Sequence, residues 1–365
     1  MALSLVKTRK RIEPARVWCN CVEYRLTITG GYVTYIEPAF SGNDAMATAA
    51  VIDPEVRLLP IAESDLAALE RLFDEECAEW LELLKWDYKG ASLLIRDVAR
   101  QHQLSGFVAV SGNEPVGFAY YLIEGPRCSI GDIYVSSSWR GMGIDRGLAA
   151  AVLDKLDQAR RVRRIESQCV GVGNHEADAL FQSRGFERLE RSYMLSGVAD
   201  EDVVLEPLDD VAIRPWKSSD FSQVSRVIHR SYHSTYDSRI NSQYRTEQGC
   251  AELLTILTDN IWCGDFLSTV SRIAVRPTGS IIGTLIASRV ASGIGHIGQI
   301  SVHPAQQGRG IGRRLIASAF KEFRTRGFER ITLAVTTANA GALHLYQSCG
   351  FETIHTFPVF YREKK

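Results

Sequence analysis

The sequence predicts two tandem domains of mixed α/β (α+β) class, each a central mixed β-sheet flanked by helices. Three observations lead there. The chain has 365 residues, 45% of them hydrophobic, enough material for about two cores. Residues 298–302 form an apolar strand that runs into the glycine turn Gly308-Arg309-Gly310-Ile311-Gly312 and then into a helix. The pattern occurs twice. Residues 131–135 lead into Arg140-Gly141-Met142-Gly143-Ile144-Asp145, an offset of 167 (310 minus 143). Asn174 to Phe181 with Gly185-Phe186 echoes Asn339 to Tyr346 with Gly350-Phe351 at an offset of 165 (351 minus 186). Self-similarity at a long fixed period marks a duplicated domain, and copies of about 150 residues are of ordinary domain size.

Residues 1–54 match neither repeat; within them 16–37 read as a hairpin turning at Gly30-Gly31, with an extra strand packed on the first repeat as the preferred role. The first domain is expected over 55–198. There Ser64-Asp65 caps a helix carrying Leu66, Leu69, Leu72 and Phe73 on one face. Strands follow at 106–110 and 116–122 around an Asn113-Glu114 turn, then at 131–135, then a helix through Leu156. Residues 199–211 form an acidic linker, and 212–365 the second domain. In it Asp220 is expected to cap a helix that buries Phe221, Val224, Val227 and Ile228. Strands are expected near 267–275, 281–290 and 297–302, with a helix over 311–326 ended by Gly327. A strand at 330–335 precedes a short amphipathic helix after Asn339, closed by Gly350.

Composition narrows the function classes. Lys plus Arg number 42 and Asp plus Glu 43, so there is no overall field to draw nucleic acid or an anionic membrane. The eight cysteines show no Cys-x-x-Cys spacing; only Cys19 and Cys21 are close. The basic start, Lys7, Arg9, Lys10 and Arg11, is not followed by an apolar run. Reduced thiols and a cytoplasmic location are the expectation. No stretch approaches membrane-spanning length, and no Cys/His cluster has metal-ligand spacing.

The glycine turn carries the chemistry. Gly308, Gly310 and Gly312 let main-chain N–H groups approach phosphate oxygens, and the helix that starts there adds its unpaired N–H groups and positive dipole end. Arg309, Arg313 and Arg314 add charge. Glycines also make ordinary turns, and the turn lacks the Gly-Lys-(Ser/Thr) ending of nucleotide phosphate loops. Together with the Asn339 segment, however, the pattern resembles the GNAT superfamily of acyl-CoA-dependent N-acyltransferases. That family's (Gln/Arg)-x-x-Gly-x-(Gly/Ala) motif is met by Gln307, Gly310 and Gly312. Its Asn-x-x-Ala-x-x-Leu-Tyr-x-x-x-Gly-Phe motif is met from Asn339 to Phe351 without a mismatch.

The resemblance implies a sheet splayed between its fourth and fifth strands, with acetyl-CoA as cosubstrate in the gap and no metal. It puts the pantetheine arm along Ile300, Ser301 and Val302, with a main-chain N–H there as donor to the thioester oxygen. It puts the pyrophosphate on Gln307, Gly308, Arg309, Gly310, Ile311 and Gly312, and has Asn339 position the arm or the helix start. Tyr346 is the implied proton donor to the departing thiolate. Some members carry a general base on the fourth strand, and His296 falls at about that place. Its ordinary pKa suits the task; a hydrogen-bonded strand histidine is the alternative. His303, beside Pro304, is a rival, on the opposite face from His296 unless a bulge intervenes. A Leu-Glu-Val variant of the fifth strand is absent, that segment being Leu333-Ala334-Val335, which weakens a ribosomal-protein N-terminal acetyltransferase reading.

Residues 232–244 are rich in aromatic and polar groups. They read either as an amine site, with Asp237 binding the ammonium and Tyr236 or Tyr244 stacking on its body, or as a hydrogen-bonded surface loop. Gln299 is a further candidate contact. The repeats differ where chemistry is expected: Gly312 corresponds to Asp145, Tyr346 to Phe181 and His296 to Ser129. The expectation is therefore an N-acetyltransferase acting on a small-molecule or peptide primary amine, with a working second repeat and a degenerate first one. The tandem arrangement is also similar to that of mycothiol synthase-like enzymes, with no substrate implied. A non-enzymatic acyl-CoA-binding or regulatory protein is the alternative.

Overall fold

The computed structural model describes residues 15–19, 22–29, 32–34, 56–168, 170, 176–198, 208–259 and 263–364. Strands β1 (Ala15–Cys19), β2 (Val22–Thr29) and β3 (Tyr32–Thr34) form a three-stranded antiparallel sheet. Strands β2 and β3 pair from Thr27↔Thr34 to Thr29↔Tyr32; the expected turn at Gly30-Gly31 lies outside the described residues. This sheet is not hydrogen-bonded into the main one; its strand β2 lies against the Glu114–Glu124 strand of the first repeat. Most of the acidic linker, 199–207, lies outside the described residues, as does Asn174.

The first repeat contains β4 (Val56–Pro60), α1 (Leu66–Glu79), α2 (Lys89–Arg100), β5 (Ser105–Ser111), β6 (Glu114–Glu124), β7 (Arg127–Val135), α3 (Ile144–Gln158), β8 (Arg164–Ser167), α4 (Glu176–Ser183) and β9 (Glu187–Gly197). Helix α1 begins where expected because Asp65 Oδ1 accepts the N–H of Ala67 (2.9 Å), and Leu69, Leu72 and Phe73 are buried. The second repeat contains β10 (Ala212–Pro215), α5 (Phe221–Tyr232), α6 (Asp237–Ile240), α7 (Glu247–Asp259), β11 (Asp265–Phe266), β12 (Arg272–Val275), β13 (Ile281–Ala291), β14 (Ile294–Val302), α8 (Ile311–Thr325), β15 (Arg330–Thr336), α9 (Ala340–Ser348) and β16 (Glu352–Glu363).

Two local expectations are corrected. The strand expected over 267–275 is broken, because the Leu267 carbonyl accepts from Val270 and Ser271 N–H in a turn. Asp220 does not cap α5. Its carboxylate turns back to the Lys217 N–H (2.8 Å) and to the Arg214 guanidinium (2.7 Å for each oxygen), a bidentate charged pair that outcompetes a single cap bond.

The strands of both repeats form one continuous sheet in the order β10-β12-β13-β14-β15-β9-β16-β8-β7-β6-β5-β4, with β11 beside β13. The order contains a reciprocal exchange. The last strand of the first repeat, β9, pairs antiparallel with β15 of the second, from Arg330↔Gly197 to Thr336↔Arg191. The last strand of the second repeat, β16, pairs with β8 of the first, and β9 and β16 pair with each other. The linker in sequence is thus not a boundary in the sheet.

Each repeat also splays once. Parallel pairing of β14 with β15 runs only from Ile294↔Arg330 to Ile297↔Leu333, and that of β7 with β8 only from Arg127↔Arg164 to Ile130↔Ser167. Just past the last β14 pair, a bulge leaves Gly298 unpaired between Ile297, opposite Ala287, and Gln299, opposite Ile286. Helix α8 closes over the sheet with Leu315, Ile316, Ala319 and Phe323 in one core with Leu285, Ile331 and Leu333.

Candidate active site

The site grows out of the turn before α8. Gly310 has φ +75°, a conformation costly for any residue with a Cβ. At Gly312 the reason for glycine is contact: a Cβ would lie 3.0 Å from Leu345 Cδ2 on α9. The two helices therefore approach closely behind the turn. In front of it opens a cleft of about 550 Å³, lined by Ile300, Ser301 and Val302 of β14, by Gln307, Gly308, Gly310, Ile311 and Gly312 of the turn, and by Asn339 and Tyr346. Its size is that of a small-molecule site.

Arg309 is the exception among the turn residues. Its guanidinium donates to Gln306 Oε1 (2.6 Å) and to Asp210 Oδ1 (2.6 Å), so its charge faces the linker and not the cleft. Arg313 lines the cleft instead. Asn339 sits at the helix start, its Oδ1 accepting the Ala342 N–H (3.2 Å).

The splay exposes main-chain groups on β14. Gln299 and Ser301 face β13, as the register and the 2.8 Å bond from His303 N–H to the Ile282 carbonyl require. Ile300 and Val302 consequently turn N–H and C=O to the open edge. There Tyr232 Oη donates to the Ile300 carbonyl (2.8 Å), while Ser231 Oγ (3.0 Å) and Gln307 Nε2 (3.1 Å) donate to that of Val302. Tyr346, only 5% exposed, shares this cleft. Burial pushes its phenol pKa up, the Asp237 carboxylate adds to this and Arg191 opposes it, so the phenol holds its proton at neutral pH.

His296 stands apart from the cleft. It lies on the stretch of β14 that still pairs with β15, opposite Thr332. Its Nδ1 is 2.9 Å from Thr332 Oγ1, and Trp86 and Tyr193 cover the ring at centroid distances of 4.8 and 6.2 Å. Burial, with Arg191 nearby, pushes its pKa down to about 3. The rival, His303, accepts the Ala305 N–H at Nδ1 (3.2 Å), and its Nε2 lies 3.3 Å from Arg230 Nη1.

Of the acceptor candidates, three gather here. Asp237 is buried, with Oδ1 accepting from Thr336 Oγ1 (2.8 Å) at the end of β15. Tyr244 stacks on Tyr232 at 4.6 Å and donates to Gln299 Oε1 (2.8 Å). Tyr236 is 43% exposed and meets the Arg239 guanidinium instead. Sequence reasoning missed Ser231 near the end of α5, which lines the cleft with Tyr232 and Thr235 of the 232–244 segment. It also missed Arg191, whose Nη2 donates to the Ala334 carbonyl (3.3 Å) from 143 residues away; no local signal marks a strand exchanged between repeats.

The corresponding region of the first repeat is filled. Gly143 has φ +73°, matching Gly310, but the buried Asp145 carboxylate accepts the Ala177 N–H of α4 (3.3 Å). Arg140 grips Glu79 through bonds of 2.8 and 2.6 Å and also donates to the Val135 carbonyl (3.0 Å). Phe181 stacks on Phe360 of β16 at 4.5 Å. An opening of about 410 Å³ remains beside residues 136–139, walled by Glu75, Glu79 and Glu114 and by Arg71, which is itself paired with Glu114 at 2.7 Å.

Comparison with known proteins agrees with this geometry. The profile described as acetyltransferase (GNAT) family matches residues 66–186 and 238–351. A mycothiol acetyltransferase of Thermobispora bispora is 34% identical over 262 residues, 69% of this chain and 81% of that protein. One from Rhodococcus opacus is 39% identical over 69 residues, 19% of this chain; this chain spans only 23% of that relative's length. Among solved structures, a GCN5-related N-acetyltransferase from Sphaerobacter thermophilus has a TM-score of 0.58 at 19% identity, covering 86% of this chain and 97% of its own. A tandem GNAT protein from the clavulanic acid biosynthesis pathway has a TM-score of 0.53 at 15% identity, covering 85% and 98%. Both repeats carry the fold, and the chain belongs to the GNAT family of acetyltransferases.

Proposed function

We propose that the chain is an N-acetyltransferase that moves an acetyl group from acetyl-CoA to a primary amine by direct attack, with the chemistry confined to the second repeat. The observation that carries this reading is a protonated phenol, Tyr346, on the wall of the cleft that the Gly310–Gly312 turn opens. The turn and the first N–H groups of α8 suit a diphosphate, and the Ile300 and Val302 edge suits the pantetheine amides. A main-chain N–H on that edge faces the thioester oxygen and stabilises the charge that develops on it. As the amine nitrogen bonds to the carbonyl carbon and the C–S bond breaks, Tyr346 Oη gives its proton to the thiolate.

His296 is not given the amine's proton. With its pKa near 3 and its ring under Trp86, it is a weak and covered base. The amine instead reacts as its free base and releases its proton to solvent, and the Tyr346 phenolate takes one proton back from solvent to close the cycle. The first repeat, in this reading, binds no coenzyme, since Asp145 occupies the space between α3 and α4 and the remaining opening is acidic. The relatives' shared name supports acetyl as the group moved; their acceptor is not carried over.

The test is release of free CoA thiol from acetyl-CoA in the presence of an amine panel. Amine-dependent release supports transfer. Tight acetyl-CoA binding without release under any amine would favour a binding or regulatory protein instead.

A further inference from the structure

The strand exchange brings a cation of the first repeat to the chemistry of the second. Arg191 on β9 lies opposite Thr336 on β15, and Thr336 holds the Asp237 carboxylate (2.8 Å). The Arg191 guanidinium uses two of its five N–H groups, on Gln168 Oε1 (3.0 Å) and on the Ala334 carbonyl (3.3 Å). Its Nε is enclosed without a partner. Among the described residues its hydrogen-bond acceptors are a side-chain amide and a main-chain carbonyl and not a carboxylate, while Asp237 is held by Thr336. Leaving a part-buried guanidinium without an anion is costly. Both charges act on the same phenols: Asp237 raises and Arg191 lowers the pKa of Tyr346 and of Tyr232. The Ala334 carbonyl that takes the Arg191 bond points away from β9, because the Thr337 N–H bond to the Glu190 carbonyl sets the alternation of β15, and it lies past Leu333, the last residue paired with β14. The guanidinium and the Asp237 carboxylate held by Thr336 therefore both stand at the splay without pairing with each other.

We propose that Arg191 is a specificity residue for an acceptor that carries a carboxylate besides its amine, with Asp237 taking the ammonium and Arg191 the carboxylate. The acceptor class is then a zwitterionic, amino-acid-like primary amine. This rests on the acetyltransfer reading above and narrows it. The first repeat's part in the reaction is recognition.

The test compares the proteinogenic amino acids with their carboxamides as acceptors, in wild type and in Arg191→Gln and Arg191→Lys. Wild type is expected to favour at least one acid over its amide by about 30-fold in kcat/KM, the scale of a charge-assisted bond. Arg191→Gln should erase that preference by raising KM for the acid, so that kcat/KM falls at least about tenfold more for the acid than for its amide, with acetyl-CoA affinity kept within about twofold. Arg191→Lys should restore part of it, since the charge remains without the fork. Amides that serve as well as acids in wild type, or an equal fall for both series in Arg191→Gln, would overturn the proposal. So would turnover with neither series; retained acetyl-CoA binding would then leave the coenzyme site standing, whereas its loss would remove the enzymatic reading as well.

Discussion

The two repeats share a fold down to the left-handed glycine before the helix, φ +75° at Gly310 and +73° at Gly143, yet differ in what occupies the space beyond it. In the second repeat α9 closes on Gly312 with Leu345, and the region in front stays open as a cleft. In the first, Asp145 stands at the Gly312 position and bonds to α4, Arg140 folds back onto Glu79, and Phe181 is sealed by Phe360 of the other repeat. On the proposed function, the same scaffold gives either a site or a plug, according to whether the helix ends are satisfied by a ligand or by protein side chains. The backbone is the constant; the side chains near the turn decide its use.

The largest effect that would sharpen this contrast comes from giving the second repeat the first repeat's ring. Tyr346→Phe should lower kcat by about 10³, the range of general acid catalysis, with CoA affinity kept; stopped-flow thiol release and a CoA titration measure the two parts. A rate within a few fold of wild type would remove Tyr346 from the chemistry. Next is Gly312→Asp, which places both a Cβ at 3.0 Å from Leu345 and a negative charge beside the proposed diphosphate site. CoA binding should weaken by about 100-fold or more, as like charges in contact cost several kcal/mol. The converse, Asp145→Gly, should not create a second site, because Arg140 and Glu79 still fill the turn.

A smaller effect concerns His296. Its folded pKa is depressed below the ordinary value, so between about pH 6.5 and 3 the unfolded chain takes up a proton that the folded chain does not. Stability therefore falls as pH drops through that window. His296→Gln should flatten the decline in melting temperature between pH 6.5 and 5, while kcat stays within about threefold and kcat/KM continues to follow the amine's own pKa. An inflection near pH 6.5 lost in the variant would restore His296 as the base. Smallest of all is Arg309→Ala. Its pair with Asp210 is at the surface and such pairs contribute little, so CoA affinity should change by no more than about threefold.

Much of this was legible in the sequence because it is local. The turn, the α9 motif and the duplication lie in short runs of residues, and glycine at 310 and 312 has few alternatives once the turn and the close helix approach are required. The splay and the place of His296 on the fourth strand were implied by the family resemblance. What could not be read is long-range. Side-chain direction took Arg309 to Asp210, and the limited β14–β15 pairing left His296 on the closed part of the strand. Strand partnership placed β9 between β15 and β16. Periodicity reports which face of a strand is apolar, not which strand lies beside it, so Arg191 and Trp86, both from the first repeat, were invisible as neighbours of the second repeat's site.

The most direct measurement is calorimetric titration of the whole chain with CoA, beside Gly312→Asp and Asp145→Gly. The account predicts one site per chain, lost in Gly312→Asp and unchanged in number in Asp145→Gly. Two equivalent sites in the wild type, or binding that survives Gly312→Asp and disappears when the first repeat is altered, would contradict it.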